Sequence, residues 1–212
     1  MRRDRWMALA LVAALVGCAP ASHAQAASDT TPLPPAGLGR LTQDQISVTL
    51  QSGDLQVRFL PLNEFLLRLL APDGYASLSA IVRSRRAAID TAAQQNGIAT
   101  PGLALVTFFA TRANVTFQPQ DLTFTVRNQV YRPVAIIPYS TNFGSQQLQT
   151  RGQSTAIYLY ELPVPIFEQF QLGYEGVVSD GWAGALPTIE RERDRVVLRW
   201  RQQTPDSTRR PQ

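Results

Sequence analysis

Residues 46–59 read Ile46-Ser47-Val48-Thr49-Leu50-Gln51-Ser52-Gly53-Asp54-Leu55-Gln56-Val57-Arg58-Phe59. Apolar and polar side chains alternate on both sides of Ser52-Gly53-Asp54. A period of two puts Ile46, Val48 and Leu50 on one face of a strand, and Leu55, Val57 and Phe59 on one face of the next. This is a β-hairpin with one buried face, and a slip of one residue would turn its whole apolar set toward water. The rest of the chain must supply what that face packs against.

Helical periodicity comes next. Asn63 is placed to cap a short helix whose Phe65, Leu66, Leu69 and Leu70 share a face, and Ala71-Pro72-Asp73-Gly74 stops it. A longer helix is predicted over 75–96, with Leu78, Ile81, Val82, Ile89, Ala92 and Ala93 on one stripe and Gly97 just past its end. Arg86 and Asp90 stand at i, i+4 on its polar side.

After Pro101-Gly102 the pattern changes to strands at 103–111, 122–126, 130–139, 155–160 and 170–178, rich in β-branched and aromatic residues. Arg127-Asn128-Gln129 joins two of these runs tightly enough for a hairpin. Pro133 and Pro138 interrupt one run, which places it at a sheet edge or a bulge. With the first hairpin this makes about seven strands, the number and spacing of an antiparallel β-sandwich, with the helical pair inserted after the first hairpin.

The last element reads two ways. Val196, Leu198 and Trp200 alternate as in a strand. Thr188 can equally cap a helix with Glu190 and Glu192 in its first turn and Arg199 and Arg201 in its last, sharing a face of Ile189, Val196 and Trp200. The charge order suits the helix dipole from end to end and favours the helix.

Outside this region, residues 27–40 form a Pro/Gly-rich linker, 41–201 a single domain, and 202–212 a polar tail. Residues 1–26 carry the order of a secretory signal: a basic start through Arg2, Arg3 and Arg5, an apolar run over 7–16, and the small-residue site Ala24-Gln25-Ala26. The apolar run is shorter than the about 20 residues that span a bilayer. A second cleavage reading ends the signal at residue 17, because Leu15-Val16-Gly17-Cys18 resembles a bacterial lipobox. That resemblance implies lipid on Cys18 and, with Ala19 following it, anchoring at the outer membrane.

The chemistry left to the domain is narrow. The chain has one Cys and one His, Cys18 and His23, and its 20 basic residues are all arginine. Over 41–201 there is therefore no Cys-His pair, no Ser-His-Asp triad, no lysine for a Schiff base and no His or Cys ligand for zinc. No nucleotide-binding fingerprint or cofactor motif occurs. A formal charge of +4 falls to +2 once the signal's three arginines and Asp4 are removed. Such a balance is no footprint for nucleic acid. Arg191, Arg193, Arg195, Arg199 and Arg201 could contact an anionic membrane surface, but Glu190, Glu192 and Asp194 interleaved among them favour a solvated, salt-bridged face.

Carboxylate chemistry survives in principle, since a glycosidase needs only two acids at a set separation. Asp121, Glu161, Glu168, Glu175 and Asp180 are the candidates, and none lies in a motif. Aromatic residues gather in the strand half: Tyr131, Tyr139, Phe143, Tyr158, Tyr160, Phe167, Phe170, Tyr174 and Trp182. They suit a sandwich core, or a platform for a glycan or a partner. Tyr158 and Tyr160 lie opposite Ile157 and Leu159, so a core on the isoleucine side would display the tyrosine pair for binding. Helical spacing puts Arg85 on the stripe of Leu78, Ile81 and Ile89, where it can snorkel, pair with an acid or hold an anion.

Tyr131-Arg132-Pro133-Val134 and the residues to 137, then Leu148-Gln149-Thr150-Arg151-Gly152, then 156–163 and 170–174, resemble the strand order of secreted bacterial immunoglobulin-like domains. The resemblance implies an immunoglobulin-like sandwich. The helical pair and the missing antibody-type cysteines depart from it. The expectation is an exported envelope protein without enzymatic activity, binding another envelope protein or a surface polymer. A carboxylate-dependent glycan hydrolase and a structural or assembly factor of the envelope are the alternatives.

Overall fold

The computed structural model describes residues 33–203. The signal, Cys18, His23, the first part of the linker and the tail beyond 203 lie outside the described residues.

In chain order the strands are β1 (Val48–Ser52), β2 (Leu55–Pro61), β3 (Gly102–Ala110), β4 (Val115–Thr116), β5 (Thr123–Val126), β6 (Gln129–Tyr131), β7 (Ala135–Pro138), β8 (Gln147–Leu148), β9 (Gln153–Tyr160), β10 (Gln171–Tyr174) and β11 (Val177–Ser179). The helices are α1 (Glu64–Leu67), α2 (Pro72–Ser84), α3 (Arg86–Gln95) and α4 (Gly181–Gln203). The sequence pattern predicts about seven strands, and eleven are found among the described residues, several of only two or three residues. Such short pairings carry too few alternating positions to stand out in a sequence.

The hairpin of residues 46–59 pairs in the register its pattern demands, with Val48 opposite Phe59 and Leu50 opposite Val57. It opens a five-stranded antiparallel sheet of order β1-β2-β3-β9-β7. The predicted edge is there too: β7, flanked by Pro133 and ending on Pro138, pairs with β9 alone. A four-stranded antiparallel sheet, β11-β10-β5-β6, packs against the first, and β4 and β8 form a small ladder. The two main sheets make a sandwich whose core is aromatic. Phe124 of one meets Tyr160 of the other at 4.8 Å, and Phe108 meets Tyr174 at 5.8 Å.

The helical insertion lies between β2 and β3, as its place in the chain predicts. Asn63 caps α1, its Oδ1 accepting from the amides of Phe65 and Leu66. The single helix expected over 75–96 is two. α2 begins early, with Pro72 in its first turn, and breaks at Arg85, whose backbone (φ −112°, ψ 8°) ends α2 and starts α3. Gly97 has φ +67° and closes α3. Leu78, Ile89 and Ala93 join the core, and α3 lies against β7. The β7–β9 side of the five-stranded sheet is thereby covered on both faces, whereas Thr49 and Gln51 on the outer face of β1 stay exposed.

α4 realises the helical reading of the last element, but it starts seven residues before Thr188 and carries Pro187 inside it. Its early turns are held by packing: Trp182 is fully buried and stacks on Phe170 at 4.9 Å. Further along, Glu192, expected on a solvated face, is buried. Arg195 grips it with Nε and Nη2 at 2.7 and 2.6 Å, and the Arg40 amide donates to it at 2.7 Å. Arg195 also donates to the Leu38 carbonyl, and Arg68 to that of Pro34. Residues 33–41, the end of the expected linker, therefore pack as a strap across α1 and α4. A Cβ at Gly39 would run into the backbone of Leu69, so glycine is what lets the strap lie this close.

Candidate functional site

Tyr158 and Tyr160 are not displayed. Both are fully buried, and so are Ile157 and Leu159 on the opposite face. Display of the tyrosines requires a strand with one buried face. β9 instead sits between β3 and β7, with the second sheet on its tyrosine side and helices on the other. The Tyr158 hydroxyl donates to the Pro119 carbonyl at 2.9 Å, whereas the Tyr160 hydroxyl has no hydrogen-bond partner among the described residues. Burial pushes both phenols well above their ordinary pKa.

Among the described residues Arg85 does not pair with an acid. Its guanidinium lies over the Tyr139 ring, 5.4 Å from the centroid, and Nη2 is 3.5 Å from the Tyr139 carbonyl. This contact ties the α2–α3 corner to the end of β7. Of the other aromatic residues, Phe143, Phe170, Tyr174 and Trp182 are core, Tyr131 is half-buried, and Tyr139 and Phe167 are exposed. Phe167 is covered in part by Arg193, whose guanidinium carbon is 5.1 Å from the ring centroid.

The five candidate acids are all exposed. Glu175 sits in the β10–β11 turn, accepting from Ser52, and Asp121 ends a short 3₁₀ turn. Glu161 lines a cavity of about 580 Å³ with Val134 and Leu162. Glu168 is ion-paired to Arg127 at 2.6 Å, and Asp180 immediately precedes α4. Among the described residues no three acids group as a metal site.

The outer face of the four-stranded sheet is left open. Phe124, Leu172 and Tyr174 point into the sandwich and are buried, so their neighbours Thr123, Thr125, Gln171 and Gly173 form the outer face of the four-stranded sheet. Pairing aligns Val130, Thr125 and Gln171 in one row and Thr123, Gly173 and Val178 in the next. Val130 and Val178, at the two edges, are 57% and 61% exposed.

Two cavities flank the β5–β6 turn at the end of this sheet, one on its outer side and one on its inner side. One, about 290 Å³, is lined by Thr125, Arg127, Asn128, Gln169, Gln171 and Asp180. The other, about 200 Å³, is lined among others by Arg127, Gln129, Tyr131, Leu162 and Glu168. Arg127 belongs to both. A larger groove of about 740 Å³ runs between α2–α3 and residues 98–103, lined mainly by apolar side chains such as Val82, Ile89, Ile98 and Leu103.

No protein-family model matches the chain, and no curated protein and no solved structure matches it. The site is therefore read from its own residues.

Sequence reasoning missed Arg127, Asn128 and Gln171. The β5–β6 loop has two residues, both at positive φ: Arg127 at +50° and Asn128 at +63°. That is the geometry of a type I′ turn, which favours Asn-Gly. The other two-residue turns of the sandwich, Gly53-Asp54 and Glu175-Gly176, each contain glycine. The signal in the sequence was a hairpin turn spelled Arg-Asn, a residue choice that the turn itself does not explain.

Proposed function

We propose that the chain is an exported cell-envelope protein without enzymatic activity, free in the periplasm or held at the outer membrane through lipid on Cys18. Its immunoglobulin-like sandwich binds an envelope protein or a surface polymer. The reading of export rests on residues 1–26. The reading of the fold as immunoglobulin-like draws support from two antiparallel sheets packed through one core, with the helical layer as its departure.

The observation that carries the binding role is the convergence on Arg127. The uncovered sheet face ends at the β5–β6 turn, and the cavities on the two sides of the sheet there are both lined by this one exposed guanidinium. The outer face of β1 is also exposed at Thr49 and Gln51, but the cavities that share Arg127 lie at the end of the four-stranded sheet, which favours that end as the place for a partner. A glycan hydrolase would need two acids facing each other across one site. Glu168 and Asp180 flank Arg127 but line different cavities, which favours binding over hydrolysis.

A photo-crosslinking residue at Val130 tests the reading in intact cells. The expected product is an envelope component joined at Val130 and not at Leu198, an exposed control position on α4. Replacing Cys18 with Ser tests the anchor: release of the protein from membranes is expected of a lipoprotein, and unchanged fractionation removes the lipid.

A further inference from the structure

Arg127 holds a backbone conformation that non-glycine residues rarely adopt, at a turn where glycine would serve. A residue kept against its steric preference points to a role for its side chain. That side chain is 78% exposed, is fixed by Glu168 and lines both cavities.

The chemistry around it is uncharged in effect. Two carboxylates, Glu168 and Asp180, flank the one guanidinium, so the site offers no excess positive charge to a phosphate-rich or acidic polymer. What it offers is primary amides. The side-chain amides of Asn128, Gln169 and Gln171 make no hydrogen bond to protein among the described residues, and each carries both donor and acceptor. Hydroxyl and acetamido groups have the same double character. In the second cavity the Tyr131 hydroxyl donates to the Gln129 Oε1 at 2.9 Å, which leaves the Gln129 NH₂ free to donate outward. The Tyr131 ring, stacked on Phe124 at 4.9 Å and 17°, is a fixed apolar wall of the kind that takes the C–H face of a sugar ring.

We infer that a neutral, acetamido-bearing glycan binds around the β5–β6 turn, with a sugar unit in each of the two cavities and Arg127, which lines both, donating between them. This rests on the binding role proposed above and names its ligand class.

The test titrates the full mature chain with a soluble hexamer of β-1,4-linked N-acetylglucosamine, with polygalacturonate as the anionic comparison, by calorimetry. The hexamer is expected to bind and polygalacturonate not to. Arg127→Gly should weaken hexamer binding about tenfold or more, the loss expected when a charged hydrogen-bond donor is removed. Its thermal midpoint should stay equal or rise, because glycine suits the turn. Gln171→Ala, at an exposed position whose side chain makes no hydrogen bond among the described residues, should weaken binding with the fold intact. The inference is overturned if the hexamer does not bind, if neither variant weakens it, or if only polygalacturonate binds. A silent titration with a protein crosslinked at Val130 would overturn the ligand class alone, whereas a silent titration with no crosslink would overturn the binding role as well.

Discussion

Arg127 Nη2 lies 2.6 Å from Glu168 Oε1, joining the β5–β6 turn to the segment between β9 and β10. The pair is exposed, and exposed ion pairs contribute about 0–1 kcal/mol. Changing the turn to its preferred form, Arg127→Asn with Asn128→Gly, relieves one strained residue and loses that pair. Stability measured by denaturant unfolding should be unchanged or higher by about 1 kcal/mol. A clear loss would mean that Arg127 is kept for the ion pair and not for what its guanidinium faces.

The tyrosines of β9 give a paired test of the core. Tyr158→Phe leaves the Pro119 carbonyl without its buried donor and should cost about 1–2 kcal/mol. Tyr160→Phe removes a buried hydroxyl that has no partner among the described residues, so it should be near neutral or stabilising. Equal costs at both positions would contradict the hydrogen bonding described for this strand.

These two residues also mark what was legible in the sequence. Alternation revealed the first hairpin and its register, because β1 and β2 keep one set of side chains for the core. Proline placed β7 at an edge, and the acid-to-base order along α4 identified it as a helix. Alternation failed at β9, where both faces are buried and the period carries no information about which side is displayed. The break at Arg85, the early start of α4 and the burial of Glu192 are set by contacts with distant elements, namely Tyr139, Phe170 and the strap. Of the candidate site, only the position of the β5–β6 turn could be read, since a cavity between a turn, a strand and a helix start has no sequence period.

Glu192 makes the strap sensitive to acid. Burial alone would raise its pKa, but the Arg195 guanidinium and the Arg40 amide outweigh burial and hold the carboxyl below its ordinary value of 4.5. A carboxyl with a lowered folded-state pKa contributes stability that is present above pH 4.5 and is lost as pH falls through the lower value. Glu192→Gln should cost roughly 1–3 kcal/mol at pH 7 and flatten the acid limb of a stability–pH curve. An acid limb as steep as in the unaltered chain would remove Glu192 as its source. Gly39→Ala should loosen the same strap, seen as faster amide exchange at Leu41, whose amide donates to Leu69.

Crosslinking from Val130 in intact cells tests the central claim most directly, because it asks whether the open sheet face beside Arg127 meets a partner where the protein works. The account predicts an envelope component captured at Val130, lost or strongly reduced with Arg127→Gly, and no capture from Leu198. Capture that is equal at both positions, or that ignores Arg127, would contradict it.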